Sequence, residues 1–573
     1  MASRKAASAK ADWRTVFRQS IARSLVIAAA LALAAFTLFF ALALLTSDST
    51  DAALNTAAGG SAANWMGHAG AWFADLGLSV GGAPIALLVP LLLASARALP
   101  QALQPVPFDR VGLSGFWGGR QEVNRTATLA SNIRECLETG RLENLARAGR
   151  GEQGGFQGYF FNDSDVYKVV EGMASILALR PDPGLEATLA QWVAIIAGAQ
   201  RPDGYLNSYF TLSGEPRWQN LRDKHELYCA GHLIEAAVAH HRALGSRELL
   251  DVALRLVEHI EGLFGPGKRI EVPGHQEIEL ALVKLYDLTK ERRYLDLARF
   301  FLEARGDASR RTPHGDYWQD HLPLRDQREA LGHAVRAMYF YAAATDVAAR
   351  TGATAWDAAL DALWRNLYEA RAYVTGGLGS SRANEGFTAD HDRPNAAAYA
   401  ETCAAIGSIL WNHRLFLRQR EGRFLDALER ALFNGFLAGV SLSGGEFFYV
   451  NPLESSGSHR RKPWHACACC PPNVLRLMAR LGEYFYATGS DGLWVALYGP
   501  GRAEVELPGG PVRLVQETDY PWSGKVALVL DPGAERRFFL HLRIPGWCRS
   551  HTVALNGEPL DTPANRGFIA IDR

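Results

Sequence analysis

The sequence has no excess charge of either sign and no nucleotide-binding loop. Its 60 Lys and Arg residues balance its 60 Asp and Glu residues, so nothing favours a nucleic-acid partner or a strongly charged substrate. No Gly-x-x-x-x-Gly-Lys-Ser/Thr phosphate loop occurs, which excludes the phosphate-loop class of nucleotide-dependent motors. With 573 residues, of which 48% are hydrophobic, the chain is too apolar for a disordered protein and too long for one typical domain.

Cysteine is also scarce, with seven residues in the whole chain. Cys136, Cys229 and Cys548 stand far apart, and an odd count with this spacing does not form a disulfide framework. The sequence therefore favours a reducing compartment, or cysteines that are held on a metal ion.

Two apolar runs without charge lie near the N-terminus, at residues 24–47 and 76–96. The first is long enough to span a bilayer, and the second is weaker because Gly and Pro interrupt it, although membrane helices tolerate both. Six Lys and Arg residues precede the first run. The positive-inside rule thus predicts a cytoplasmic N-terminus, and two spans would return the rest of the chain to the cytoplasm. A secretory signal peptide is the alternative interpretation.

Residues 1–100 resemble the N-terminal membrane region of bacterial septal DNA translocases. The similarity rests on the triplet DWR at Asp12, the first apolar run, LNTAAG from Leu54 and GHAGAW from Gly67. The translocase motor itself is absent, because the chain has no phosphate loop. We expect this segment to be a membrane anchor with one or two transmembrane helices and the rest of the chain in the cytoplasm. The junction is that of a fusion, either natural or from faulty gene assembly.

The composition of the chain changes after residues 100–107, which are expected to form a linker. Helical periodicity dominates residues 108–489, and the paired helices with short turns predict an (α/α)6 barrel. Residues 490–573 hold short runs spaced by Gly and Pro, a pattern typical of an antiparallel β-sandwich. The predicted fold is mainly α with β: transmembrane helices, a barrel catalytic domain and a C-terminal sandwich. Because the chain stops directly after a strand-like run, we expect the sandwich to be incomplete.

Three cysteines lie within four positions of the run HACACCPPN, which begins at His465. Pro471 and Pro472 suit the first turn of a helix, whose dipole and free N–H groups favour thiolates. Adjacent cysteines rarely form a disulfide, so Cys469 and Cys470 indicate a metal site, a nucleophile or both. Buried and inert thiols are the alternative.

Glu401 and Cys403 form a second element, at the start of a candidate helix. Together with Cys469 and Cys470 they offer one oxygen and three sulfurs, a set that suits tetrahedral zinc. A capping Glu and a core Cys are the alternative. Upstream, Glu385 lies on a Gly-rich loop where a carboxylate could serve as general acid and base, although a surface Glu is the commoner case.

His225, His275 and His333 each lie at or near the start of an otherwise apolar helix. In a ring of helices such starts can face one funnel, so the three together predict hydroxyl recognition in a sugar-sized pocket. A single histidine of this kind is more often a capping or core group. The candidates for an aromatic floor are Phe160, Phe161, Tyr209 and Trp318.

These motifs together resemble glycoside hydrolase family 127, the β-L-arabinofuranosidase family, from about residue 108 to the end. The similarity is carried by GSSRANEGF from Gly379, AETC from Ala400, the cysteine run from His465, HELY from His225 and GHAVRA from Gly332. The resemblance implies a zinc ion and a retaining double displacement on an oligosaccharide or glycan substrate. The sugar released would be L-arabinofuranose, or a related sugar, from the non-reducing end of a β-linked glycan.

Carried over by motif, the residue roles follow from the same resemblance. The implied zinc ligands are Glu401, Cys403, Cys469 and Cys470. Cys469 would also be the nucleophile and Glu385 the acid/base, and the sugar contacts would be His225, His275 and His333. Two alternatives stay open at this point: a non-enzymatic membrane-anchored protein with structural zinc, and an (α/α)6 sugar epimerase that uses histidines. The sequence leaves both a monomer and a homodimer open.

Overall fold

The computed structural model describes residues 102–572 and eight residues of the N-terminal segment. The chain divides into two units, Met1–Pro100 and Gln101–Arg573. The two predicted membrane spans lie outside the described residues apart from four positions of the first run. Among the residues described, no helix combines the length and the apolar character needed to cross a membrane. The eight described N-terminal residues are Phe39, Leu42, Ala43, Thr46, Trp65, Met66, Ala69 and Ala71.

The second unit is helical, with a β-rich region at its C-terminal end. Local signals set many helix ends: Asp182 accepts hydrogen bonds from the N–H groups of Gly184 and Leu185, and Pro183 occupies the first turn. At the C-terminal end of another helix, Gly245 adopts the left-handed conformation that commonly stops a helix. The α-helices of the described region are α1 Gly115–Val123, α2 Leu129–Glu138, α3 Arg141–Gly149, α4 Asp163–Leu179, α5 Pro183–Ala199, α6 Ser208–Ser213, α7 Glu226–Leu244, α8 Glu248–Leu263, α9 Ile278–Thr289, α10 Arg292–Ala304, α11 Ala334–Thr351, α12 Asp357–Arg365, α13 Thr402–Gln419, α14 Gly422–Arg430 and α15 Cys470–Ala479.

Six of these helices pack side by side in a closed ring. Helix α4 contacts α7, α7 contacts α9, α9 contacts α11, α11 contacts α13, α13 contacts α15, and α15 returns to α4. Helices α8, α10 and α14 pack outside their neighbours α7, α9 and α13. The ring helices are buried along most of their length, whereas the outer helices bury one face only.

The strands form two main sheets and a short ribbon. The five-stranded sheet has the order β1-β3-β4-β8-β11, the four-stranded sheet β2-β5-β6-β7, and β9 pairs with β10. The strands are β1 Gln104–Pro105, β2 Val111–Leu113, β3 Tyr486–Gly489, β4 Gly492–Val495, β5 Gly501–Leu507, β6 Gly510–Thr518, β7 Val526–Asp531, β8 Phe539–Arg543, β9 Val553–Leu555, β10 Glu558–Leu560 and β11 Phe568–Asp572.

Two sequence-based expectations about this region are wrong. The predicted linker at residues 100–107 contains β1, which pairs with β3 through Gln104 and Thr488. The predicted antiparallel sandwich also contains one parallel pair, in which Leu493 of β4 lies opposite Leu540 of β8. The chain leaves the first sheet to form β5–β7 and re-enters it by a crossover, which allows parallel pairing. The predicted domain limit at residues 489 and 490 falls in the β3–β4 turn and stays a prediction.

Candidate active site and metal cluster

A cavity of about 750 Å3 opens where several ring helices begin. Glu401 is the residue before α13 and Cys469 the residue before α15, while His225 and His333 precede α7 and α11. Of the predicted site residues only Cys470 is absent from the cavity wall, since it is fully buried behind Cys469. The predicted residues that line the cavity are His225, His275, His333, Glu385, Glu401, Cys403 and Cys469.

The four predicted metal ligands lie within 4.8 Å of one another. The Sγ of Cys403 is 3.4 Å from that of Cys470, and the Sγ atoms of Cys469 and Cys470 are 3.7 Å apart. These distances are far longer than a disulfide bond of about 2.05 Å. The Sγ of Cys469 also lies 3.3 Å from Oε1 of Glu401. One oxygen and three sulfurs therefore converge on one point.

The spacing of these atoms fits a tetrahedral metal ion. Zinc binds sulfur at about 2.3 Å, which sets neighbouring sulfurs about 3.8 Å apart, close to the separations found here. The second oxygen of Glu401, Oε2, is buried without a hydrogen-bond partner. A buried carboxylate oxygen in that state is costly unless a cation or a donor reaches it. The donor set therefore fits a metal ion that prefers sulfur ligands.

Without a cation, the cluster cannot hold all of its negative charges. Burial raises the pKa of Glu401 well above its ordinary value, and the neighbouring Cys469 raises it further. Burial likewise raises the pKa of Cys470. Burial opposes ionisation of Cys403 too, but hydrogen bonds from Cys469 and Cys470 lower its pKa to about 6. The four groups therefore cannot all be ionised at once. A bound divalent ion would supply the positive charge that lets all four ionise.

The three predicted histidines form a row of uncharged rings. The ring centroids of His225 and His275 are 5.6 Å apart, and those of His275 and His333 are 5.8 Å apart. Burial lowers the pKa of His225 to about 3, and it also lowers the pKa of His275 and of His333. All three are neutral at physiological pH, so each ring carries one donor and one acceptor nitrogen.

Backbone contacts assign the tautomer of each ring. Nδ1 of His225 lies 2.8 Å from the carbonyl oxygen of Asp223, and Nδ1 of His275 lies 2.9 Å from that of Gln276. Both Nδ1 atoms must therefore donate, which leaves Nε2 as an acceptor. His333 is reversed, because its Nδ1 accepts the N–H of Val335 at 3.1 Å. Its Nε2–H consequently acts as the donor.

The donor nitrogen of His333 points at the predicted acid/base. Nε2 of His333 lies 2.8 Å from Oε2 of Glu385, and this hydrogen bond lowers the pKa of Glu385. Glu385 has a positive φ of 50°, as has Ala400 (38°), which directly precedes Glu401. Non-glycine residues in this region are uncommon and tend to gather at functional sites.

Several residues of the cavity wall carry no clear sequence signal. Tyr399 and Tyr449 reach the cavity from segments without helical or strand periodicity. Arg336 and Asn473 lie within the motifs that contain His333 and Cys469, but neither residue has a sequence signal of its own. Of the four aromatic residues proposed as a floor, only Phe161 lines the cavity.

A buried network beneath the cavity holds α15 against its neighbours in the ring. Arg476 Nη1 is 2.9 Å from Glu171 of α4 and also pairs with Glu235 of α7. Its Nε donates to Oδ1 of Asn473 at 2.6 Å, and its Nη2 donates to the Tyr339 hydroxyl at 3.1 Å. Since the N–H of Asn473 also donates to the carbonyl oxygen of Cys469 at 3.3 Å, the network links the ring closure to the metal cluster.

Sequence comparisons match nearly all of the second unit. The model of the catalytic domain of GH127 β-L-arabinofuranosidases matches residues 110–483. The chain belongs to glycoside hydrolase family 127. The model of the middle domain of the same family matches residues 492–573. Membership makes the chain a glycoside hydrolase, which decides against a non-enzymatic protein and against a sugar epimerase.

Relatives in family 127 agree with this assignment in both sequence and structure. The non-reducing end β-L-arabinofuranosidase of Bifidobacterium longum subsp. longum is 36% identical over 454 residues, 72% of this chain and 69% of the relative. A solved GH127 β-arabinofuranosidase is 41% identical with a TM-score of 0.79, covering 82% of this chain and 78% of its own. The GH127 β-L-arabinofuranosidase of Geobacillus stearothermophilus T6 is also 41% identical, with a TM-score of 0.78 and coverages of 81% and 79%.

The N-terminal resemblance is confirmed as well. A model of the 4TM region of the DNA translocase FtsK/SpoIIIE matches residues 22–178. From residue 110 onward this match overlaps the family 127 catalytic domain.

The Arg476 network can be tested by removing its shared cation. We expect Arg476→Met to lower the free energy of unfolding by about 3 kcal/mol, because Glu171 and Glu235 would lose a buried partner. Lys284 still pairs with Glu235 at 2.6 Å. The loss of stability is therefore at the lower end of the range for breaking a buried ion pair. Urea unfolding measures the change. The matched control is Arg502→Met on the exposed face of β5, expected within about 0.5 kcal/mol of the parent. Equal stability of the two variants would refute the network's role.

Proposed function

We propose that this chain is a retaining β-L-arabinofuranosidase that releases L-arabinofuranose, or a related sugar, from the non-reducing end of β-linked glycans. The activity named for the Bifidobacterium and Geobacillus relatives supports this substrate. The observation that carries the proposal is that Cys469 and Glu385 line the same cavity as the three neutral histidines. We further propose that the closed ring of six helices, with its outer helices, is an (α/α)6 barrel.

We propose zinc as the metal, with Glu401, Cys403, Cys469 and Cys470 as its ligands. The sulfur-rich donor set and the separations between its atoms support zinc. Bound zinc would keep the Cys469 sulfur in the thiolate form at neutral pH. Cys469 also lies directly before α15, where the field of the helix N-terminus stabilises negative charge.

The first displacement is assigned to Cys469 and Glu385. The Cys469 sulfur attacks the anomeric carbon as the bond to the leaving oxygen breaks, and Glu385 gives that oxygen a proton. A sugar in the cavity would remove water from Glu385, and such desolvation raises the pKa of a carboxyl group. The acid form would thus arise in the complex, although the free enzyme favours the carboxylate.

The second displacement uses the same two residues in reverse. Glu385, now a carboxylate, takes a proton from a water molecule whose oxygen attacks the anomeric carbon, and the bond to Cys469 breaks. The His333 Nε2–H group stabilises that carboxylate at 2.8 Å. Two inversions at one carbon give overall retention.

We assign His225 and His275 to hydrogen bonds with the sugar. His333, whose two ring nitrogens are engaged by Val335 and Glu385, is assigned to holding the acid/base. Nε2 of His225 and Nε2 of His275 are acceptors for sugar hydroxyl groups, because their Nδ1 atoms are committed to backbone carbonyls. Since the rings are neutral, they can hydrogen-bond hydroxyls without adding a positive charge opposite the oxocarbenium-like transition state.

Zinc binding is expected to be stoichiometric. Elemental analysis of the purified protein should give about one zinc per chain. The variants Cys403→Ser and Cys470→Ser should hold clearly less zinc. They should also unfold more readily, because metal affinity adds to the folding free energy. The matched control is Cys548→Ser, whose thiol lies outside the cluster and which should keep the parent zinc content. A parent protein without stoichiometric metal would refute the zinc site.

Cys469 and Glu385 should differ in which substrates depend on them. Cys469→Ala should abolish turnover of every β-L-arabinofuranoside, because no covalent intermediate can form. Glu385→Ala should slow substrates with poor leaving groups by about 10²–10⁴-fold, yet still release an activated aryl group. Added azide should then restore turnover with retained configuration. Initial rates on a chromogenic aryl β-L-arabinofuranoside and on a disaccharide measure both effects.

Cys548→Ala is the control for these variants and should cleave both substrates at the parent rate. If Cys469→Ala keeps its zinc and still cleaves the aryl substrate like the parent, Cys469 is a ligand only. In that case the proposed nucleophile is wrong.

We propose that residues 1–100 anchor the enzyme to a membrane with the catalytic part in the cytoplasm. The match to a translocase membrane region supports an anchor. A chain that begins at Gln101 should lose membrane association and keep its hydrolytic rate, because it retains β1 with buried Leu103 and Val106. A chain that begins at Phe108 lacks that strand and should be less stable. Membrane fractionation and aryl glycoside hydrolysis test this pair, and equal membrane association of the full chain and the Gln101 form would contradict the anchor.

A further inference from the structure

A second cavity of about 840 Å3 adjoins the first. Three segments form most of its wall: the turn that leads to Glu385, residues 396–399, and the loop at residues 450–459, with Thr388 and Asp392 beside them. Five residues line both cavities, namely Arg382, Tyr399, Val450, Ser458 and His459. The two cavities therefore share one wall and meet there.

The second cavity lies beside residues 380–383, the turn that precedes Glu385 in the chain. Ser380 and Ser381 line it, and their N–H groups donate to the carbonyl oxygen of Gly386, directly after Glu385, at 2.8 and 3.1 Å. This tight turn fixes the position of the acid/base relative to the second cavity. The carboxylate itself faces the first cavity, where His333 holds it.

The chemistry of the reaction then decides what the second cavity can hold. The general acid must lie within hydrogen-bond reach of the oxygen that leaves, so the leaving group extends from the Glu385 side of the first cavity. We propose that the second cavity binds the leaving group, and that this group is a further sugar of the glycan. The inference rests on the function proposed above and adds a binding site to it.

The wall of the second cavity has the polarity that a sugar requires. Hydroxyl groups of Ser455, Ser456 and Ser458 face it from one loop, and the carboxylate of Glu454 stands beside them. Ser456 and Ser458 share a hydrogen bond at 3.2 Å. A hydroxyl can both donate and accept, so each of them keeps the capacity to bind a sugar hydroxyl.

Arg382 stands at the junction of the two cavities. Its guanidinium lies 5.9 Å from the ring centroid of Tyr399. Within the described part of the chain it has neither an ion pair nor a side-chain hydrogen bond. A planar fork of donors at this place can bind two neighbouring hydroxyl oxygens on the leaving sugar.

The test fills the second cavity without touching the first. Ala397 is exposed and lines the second cavity only, so Ala397→Trp should block the leaving sugar. We expect kcat/KM for a β-L-arabinofuranosyl disaccharide to fall about tenfold or more, equivalent to the loss of one or two hydrogen bonds. Hydrolysis of a small aryl β-L-arabinofuranoside, whose leaving group needs no second sugar site, should stay within about twofold of the parent.

Two further variants make the outcome decisive. Ala534→Trp places the same side chain on an exposed turn before β8, and both substrates should be cleaved as by the parent. Glu454→Ala removes one exposed polar group from the second cavity and should raise KM for the disaccharide alone. This variant tests the proposal if Ala397→Trp does not fold. If Ala397→Trp and Glu454→Ala affect both substrates equally, or neither substrate, the second cavity does not bind the leaving group and the proposed function stands. If the parent cleaves neither substrate, the proposed function fails and the inference falls with it.

Discussion

The rest of the site depends on one carboxylate and three thiols that lie within 4.8 Å of one another. Four acidic groups cannot all ionise at this spacing without a cation, because each charge raises the pKa of its neighbours. Burial and Cys469 raise the pKa of Glu401, and burial raises that of Cys470. The fold holds these groups together although their repulsion opposes it, so the energy that keeps them close must come from elsewhere in the molecule.

Packing of the ring supplies part of that energy. Helix α15 closes the ring between α13 and α4, and it carries Cys469 and Cys470 at its start. Arg476, two turns further along, pairs with carboxylates of α4 and α7. A buried ion pair of this kind seldom adds much net stability. Its geometry is directional, however, and a shift of α15 along its axis would break the contacts of Arg476 with both carboxylates at once.

The sequence predicted the parts of this arrangement that depend on local pattern. Glu401 lies on extended backbone before α13 and Pro471 and Pro472 occupy the first turn of α15, as their spacing and residue types indicated. The strands β4 to β8 lie near the alternating runs between Gly and Pro. These features follow from interactions between residues close in the chain, which single-sequence patterns capture.

Features that depend on distant residues were missed. Strand β1 reads as a linker because two residues with one Pro carry no periodicity, and it becomes a strand only when β3 offers a partner. The parallel pairing of β4 with β8 depends on a crossover that no local signal records. Tyr399 and Arg382 likewise lie on irregular segments, and their place at the cavity junction is set by the tertiary fold alone.

The histidines of the first cavity stay neutral, and this neutrality suits the charge that develops during the reaction. Neutral rings with tautomers fixed by the backbone, such as His225 and His275, line the side where positive charge develops on the sugar. The charged Arg382 and the hydroxyls near Ser458 stand beyond Glu385. The guanidinium of Arg336 also lines the first cavity, and its charge adds to burial in lowering the pKa of all three histidines. Each ring therefore meets the sugar without a charge of its own. A charged ring would oppose the oxocarbenium-like transition state at close range, where the low dielectric makes the repulsion strongest.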